Sequence, residues 1–180
     1  ITAVDLDGDS SLELFVAGGG SGPGQAPNLV LRRLGASWQG DATHPLAAVP
    51  DVRTALWGDL DNDGRTDAVL VRGSGQTRLW RQAAAVECRA VTVASRAVTP
   101  GVDAIDGALF DADHDGDLDI WLTNARGRHV LLNNNGNGTF RDIAAAAGVA
   151  GDGRGSRGVA IADLDADRDH DIVVLNATPP

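Results

Sequence analysis

The stretch Asp59-Leu60-Asp61-Asn62-Asp63-Gly64-Arg65-Thr66-Asp67 carries carboxylates at its first, third, fifth and ninth residues, between the apolar runs Ala55-Leu56-Trp57 and Ala68-Val69-Leu70-Val71. The same arrangement recurs as DLDGDSSLE from Asp5, DADHDGDLD from Asp111 and DLDADRDHD from Asp163, with starts 54, 52 and 52 residues apart. Spacing this even over three intervals marks an internal repeat. A period near fifty residues points to blades or other stacked units, each one supersecondary element.

The other loops are flanked in the same way. Ala3-Val4, Ala108-Leu109-Phe110 and Val159-Ala160-Ile161 precede them, and Leu14-Phe15-Val16, Ile120-Trp121-Leu122 and Ile172-Val173-Val174-Leu175 follow. Short continuous apolar runs rich in β-branched residues fit buried strands better than helices. A third run follows in each full period (Leu29-Val30-Leu31, Arg78-Leu79-Trp80, His129-Val130-Leu131-Leu132), and a fourth is clearest at Thr139-Phe140-Arg141-Asp142-Ile143. Four strands per period is the composition of a propeller blade. The expectation is an all-β chain: a β-propeller segment of four-stranded antiparallel blades at about 1–50, 51–102, 103–155 and 156–180. The second and third blades read as complete and the first and last as partial, with the acidic loop joining the first two strands of each. Twenty-three Gly and seven Pro agree with many tight turns. The run Asn133-Asn134-Asn135-Gly136-Asn137-Gly138 reads as the turn between strands three and four, and Ala144 to Ala147 as one helical turn ended by Gly148.

The net charge of -10 is explained by where the acids fall. Sixteen of the 25 occupy the four recurring loop positions, and fifteen basic residues, all arginine, face the remaining nine, leaving +6 outside those positions. Four divalent cations would bring the whole chain to about -2, so the acidity reads as ligand charge rather than a solvated acidic face. The absence of a basic helix or basic-aromatic stripe argues against a nucleic-acid partner. Cys88 stands alone, so no intrachain disulfide is possible, and it reads as a core thiol. No stretch reads as a signal peptide or a membrane span. With Ile at residue 1 and no Met, the sequence reads as an interior piece of a longer protein.

The candidate metal ligands are Asp5, Asp7, Asp9 and Glu13; Asp59, Asp61, Asp63 and Asp67; Asp111, Asp113, Asp115 and Asp119; and Asp163, Asp165, Asp167 and Asp171. Alternate spacing turns three short carboxylates toward one point, and the ninth residue closes the shell. Four carboxylates so placed repel strongly without a cation. An all-oxygen, irregular shell suits Ca²⁺ better than Mg²⁺, which demands a tight octahedron, and no His or Cys recurs at a ligand position to favour zinc or copper. The expected cofactor is Ca²⁺, up to four ions, with the backbone carbonyl of position seven (Ser11, Arg65, Asp117, Asp169) as a further ligand. An EF-hand would need a bidentate Glu at position twelve, where these loops have Val16, Leu70, Leu122 and Val174, so that reading fails. Gly64 and Gly116 supply the sharp turn at position six and Ser10 and Arg168 do not. The loops from Asp59 and Asp111 are therefore expected to bind best.

With these residues in view, the pattern DxDxDGxxD followed by an apolar strand, in repeats of about fifty residues, resembles the FG-GAP/VCBS repeat over essentially the whole chain. The segments from Trp57 to Gly64 and from Leu131 to Ile143 are most similar to its ASPIC/UnbV and cartilage acidic protein branch. The resemblance implies a β-propeller, commonly seven-bladed, with Ca²⁺ in the loop between a blade's first two strands, as in integrin α-subunit heads. It also implies an extracellular, periplasmic or cell-surface location.

Two functions follow. The first is a calcium-stabilised scaffold contacting a protein or glycan, completed by the remaining blades of the same propeller. The second is a propeller part, catalytic or not, of a secreted polysaccharide-active enzyme. No catalytic residues or other cofactor sites are expected: Tyr and Lys are missing, and GxSxG, HExxH and GxxxxGK[ST] motifs do not occur. His44, His114, His129 and His170 form no motif and are expected at surfaces or turns, and the loop Gly151 to Arg157 as a connector. Trp38, Trp57, Trp80 and Trp121 are expected in core or inter-blade packing, an exposed one suggesting sugar stacking. Asn137-Gly138-Thr139 and Asn176-Ala177-Thr178 are weak glycosylation sequons.

Overall fold

A computed structural model describes residues 1–19, 26–73, 77–84, 87–92, 95–97 and 99–177. The strands are β1 (Thr2–Val4), β2 (Glu13–Val16), β3 (Leu29–Leu34), β4 (Ser37–Gly40), β5 (Val52–Gly58), β6 (Asp67–Arg72), β7 (Arg78–Ala84), β8 (Glu87–Ala90), β9 (Ala104–Phe110), β10 (Asp119–Asn124), β11 (Val130–Asn134), β12 (Phe140–Asp142), β13 (Ser156–Ala162) and β14 (Asp171–Asn176). They form four antiparallel sheets in plain chain order: β1-β2-β3-β4, β5-β6-β7-β8, β9-β10-β11-β12 and β13-β14. The first sheet therefore has all four strands, where the sequence reading made it partial. Three residues from Thr2 to Val4, paired with Phe15, Leu14 and Glu13, are enough to form its first strand.

The second strands of the two middle sheets, β6 and β10, are apolar without alternation because both of their faces are covered. In β6, Ala68 and Leu70 face a core shared with the first sheet through Val4, Phe15 and Val30. Val69 and Val71 of the same strand face the third sheet, with Ile120, Leu122 and Leu132. In β10, Trp121 turns the other way, toward Val159, Ile161, Ile172 and Val174 of the last sheet. Sheets thus stack face to face like propeller blades, with a hydrophobic layer in each gap. Burying a Leu or Val in such a layer contributes about 1.5–3 kcal/mol.

The first strands β5, β9 and β13 lie side by side across these gaps. Gly107 in β9 has no room for a side chain: a Cβ there would sit 2.5 Å from the Trp121 carbonyl oxygen of its own sheet and 3.0 Å from Leu56 Cδ1 of β5 across the gap. Further ties cross the gaps. The Arg53 guanidinium donates to Asp103 at 2.8 Å and to the Ala104 carbonyl at 2.9 Å, and the Val159 amide donates to Asp106 at 3.2 Å.

Between sheets three and four the chain makes the expected single helical turn. The Ala147 amide donates to the Ile143 carbonyl at 2.9 Å, and Gly148 reverses the chain with φ +75°. A short 3-10 turn at Pro45–Ala48 connects sheets one and two. Among the described residues no helix is long and apolar enough to cross a membrane.

Candidate metal centre

All four acidic loops run from the first to the second strand of a sheet and share one hydrogen-bond scheme. The position-nine carboxylate accepts the amide of position two: Leu6 to Glu13 at 2.9 Å, Leu60 to Asp67 at 3.1 Å, Ala112 to Asp119 at 2.9 Å and Leu164 to Asp171 at 2.8 Å. The position-one carboxylate accepts the amide of position six: Ser10 to Asp5, Gly64 to Asp59, Gly116 to Asp111 and Arg168 to Asp163, at 2.7 to 3.0 Å. Position five accepts from position seven in the same four loops.

This scheme demands a left-handed backbone at position six in every copy. Gly64 and Gly116 take it at φ +81° and +90°, and Ser10 and Arg168 are held there at +69° and +80°. A side chain in that region costs on the order of 1–2 kcal/mol, which loops one and four bear without a glycine. Position four is left-handed as well, at Gly8, Asn62, His114 and Ala166, a regularity that sequence reading missed because no residue type recurs there.

Three carboxylates converge in each loop, with ligand oxygens within 4.8 Å of one another: Asp5, Asp7 and Glu13; Asp59, Asp61 and Asp67; Asp111, Asp113 and Asp115; and Asp163, Asp165 and Asp171. Outside these triads lie Asp9, Asp63 and Asp167 at position five, and Asp119 at position nine of the third loop. Position nine is the buried end of the site. Burial pushes the Asp67 carboxyl up to about 6, and raises Glu13 and Asp119 from the usual carboxylate range in the same way.

The third strand of each four-stranded sheet reaches into its own loop, at residues the sequence reading did not select. The Arg32 guanidinium in β3 binds the Asp7 carboxylate and also donates to Asp41 at 3.0 Å. Arg81 in β7 stands 3.0 Å from Asp61, and Asn133 in β11 donates to Asp113 at 2.8 Å. Arg81 and Asn133 both lie 22 residues after the first Asp of their loops, and Arg32 lies 27 after. That shared offset was the available signal, broken in the first copy by its longer connection. The run from Asn133 is accordingly not turn alone: Asn133 and Asn134 are buried strand residues bound to the loop, and the turn proper starts at Asn135.

Neighbouring loops also meet. Asn62 at position four of the second loop donates to Asp117 at position seven of the third, and His114 lies 3.8 Å from Asp169 in the same relation one repeat on. His114 and His170 are exposed and stacked with ring centroids 6.4 Å apart. His44 and His129 correct the surface expectation: both are buried, and burial lowers both imidazoles. His44 Nδ1 accepts the Leu46 amide at the start of the 3-10 turn, and His129 Nδ1 accepts the Asn124 amide.

Trp121 is fully buried, and Trp57 and Trp80 pack against the layer between sheets one and two. Trp38 departs from the packing expectation, being 45% exposed on edge strand β4 beside Arg33 and Leu14. Cys88 is part-buried against the same layer, and burial pushes its thiol up to about 12. Of the two sequons, Asn137 is exposed in its turn, whereas Thr178 lies outside the described residues.

The residues present fit a hard divalent cation. Besides the four converging triads, Asp61 Oδ1 is buried with no hydrogen-bond partner, an orphaned anionic acceptor facing its own loop. The FG-GAP-like repeat family matches residues 5–70, 59–122 and 111–174, each match starting at the first Asp of one loop and ending in the strand after the next. The chain belongs to the FG-GAP-like repeat family. Among curated proteins it is similar to cartilage acidic protein 1 of Mus musculus, 47% identical over 62 residues, which is 34% of this chain and 10% of the relative. The human and Xenopus tropicalis proteins of that name are 45% and 44% identical over 62 residues, again 34% of this chain. The match thus covers about a tenth of these relatives' length. FG-GAP-like repeats are a structural module, and the sheets here are propeller-like blades.

Proposed function

We propose that this FG-GAP-like chain is a calcium-stabilised propeller scaffold of an extracellular, periplasmic or surface-exposed protein, presenting its loops and edges to a protein or glycan partner. The observation that carries this reading is the fourfold convergence of three carboxylates on one point. Asp5, Asp7 and Glu13, Asp59, Asp61 and Asp67, Asp111, Asp113 and Asp115, and Asp163, Asp165 and Asp171 would hold the ions, with the remaining loop acids Asp9, Asp63, Asp119 and Asp167 at their margin. A bound Ca²⁺ supplies the positive charge that lets these carboxylates stay ionised side by side. The loop's own residues do the rest: position nine anchors it to the second strand, and position six folds it over position one.

Abundant extracellular calcium would fill these partly exposed loops, which agrees with that location. The name cartilage acidic protein, carried by the relatives, fits an acid-rich protein of such a location. Because binding to the folded loops adds to folding free energy, calcium should raise the melting temperature. Calorimetric titration with Ca²⁺, beside melts of dialysed and calcium-loaded protein, tests this. Saturable binding with a raised Tm supports the scaffold, and no heat with no shift overturns it.

A further inference from the structure

Arg32, Arg81 and Asn133 hold one and the same place in their sheets. Each follows the residue (Leu31, Trp80, Leu132) that pairs with position ten of its loop (Leu14, Ala68, Ile120), and each contacts the position-three carboxylate. Two are guanidinium cations and one is a neutral amide. We infer that this third-strand position sets the calcium affinity of its loop: the arginine is a tethered counter-cation that weakens binding, and the asparagine leaves the loop from Asp111 the tighter site. The inference rests on the calcium reading above and adds a grading to it.

The charges decide the direction. A guanidinium on one oxygen of Asp7 or Asp61 already supplies part of the neutralisation that a divalent ion would bring, and it then repels that ion across a few ångströms. Arg81 has the stronger effect. Its side chain is about one-fifth exposed, its Nε and Nη2 are buried with no hydrogen-bond partner, and Asp61 is the carboxylate it pairs with directly. Arg32 divides its charge between Asp7 and Asp41. In loop two a second cation, Arg65, lies 2.7 Å from Asp63. Asn133 satisfies Asp113 by hydrogen bond at no cost in charge. The glycine at position six ranks loops two and three together, whereas the third strand places loop two below loop three. Rising calcium would then fill loop three before loops one and two.

The test is a Ca²⁺ titration by calorimetry on the full 180-residue chain and on Arg81→Gln, Arg81→Lys and Asn133→Arg. The part of the Tb³⁺ luminescence, excited through the tryptophans beside the loops, that is lost on adding Asp59→Asn reports on loop two. Arg81→Gln should tighten loop two about tenfold, Arg81→Lys should leave it weak, and Asn133→Arg should weaken the tightest class about tenfold. If calcium binds but Arg81→Gln leaves loop two unchanged or weaker, the guanidinium is positioning Asp61 and the inference is overturned while the calcium reading stands. No binding in any protein sinks both. Should Arg81→Gln fail to melt cooperatively, Asn133→Arg and Arg32→Gln decide in the same way.

Discussion

Asp67 is 1% exposed, accepts the amides of Leu60 and Gln82, and has its carboxyl pushed up by burial to about 6. An unfolded aspartate titrates near 3.9. The folded-state value being the higher, this group's contribution to stability is full below about 4 and is lost as pH rises through about 6. A cation needs the same carboxylate ionised, so calcium acts in the opposite direction. The gain in Tm on adding calcium to dialysed protein should therefore be larger at pH 7.5 than at pH 5. Differential scanning calorimetry at the two pH values checks it, and an equal calcium shift at both would exclude a proton-coupled site.

At the scale of the element, the third strand joins each blade to the loop of the blade before it. Asn134 in β11 sends its amide NH₂ to the Leu60 carbonyl of the second loop at 2.9 Å and to the Leu118 carbonyl at 3.2 Å. Gln82 in β7 does the same to the Leu6 carbonyl of the first loop at 2.6 Å. Both amides are buried, so removing one strands an acceptor in a dry gap. Asn134→Ala should destabilise the chain by about 1–3 kcal/mol in urea unfolding and lower calcium affinity at the loop from Asp59, whose backbone it steadies. A loss under about 0.5 kcal/mol would mean the inter-sheet layer alone holds the blades. Asn134 resembles a turn former in the sequence and Gln82 an ordinary polar strand residue, which is why their role was not legible there.

For the molecule as a whole, the gaps between sheets are filled and the two outer faces are not. Leu164 and Leu175 on the last sheet are 66% and 65% exposed, and Leu12, Leu29, Leu34 and Trp38 are exposed on the first. Leu6 and Leu60, at position two like Leu164, are buried by the next sheet, so the same repeat position is core or surface according to its neighbour. Patches of this kind drive association. The isolated chain should self-associate at tens of micromolar in sedimentation experiments, and Val173→Thr with Leu175→Lys should return it toward the monomer. A monomer at that concentration before substitution would show that these faces are tolerated in water.

The period, the four strands per unit and the sixteen loop acids were legible in the residues, because apolar runs and alternating carboxylates are local patterns that recur with the chain. So was the turn at Gly148, where glycine answers a local backbone demand. The completeness of the first sheet was not, since a three-residue strand is marked only by its pairing. Nor were the burial of His44 and His129, the exposure of Trp38, or the convergence of Arg32, Arg81 and Asn133 on their loops. Burial and exposure depend on which surface the stacking of sheets brings opposite a side chain, and the convergence on the loops depends on which strand pairs beside them. Such proximity is a property of the folded chain: residue type does not encode it, and spacing carries only the 22-residue offset that Arg81 and Asn133 share.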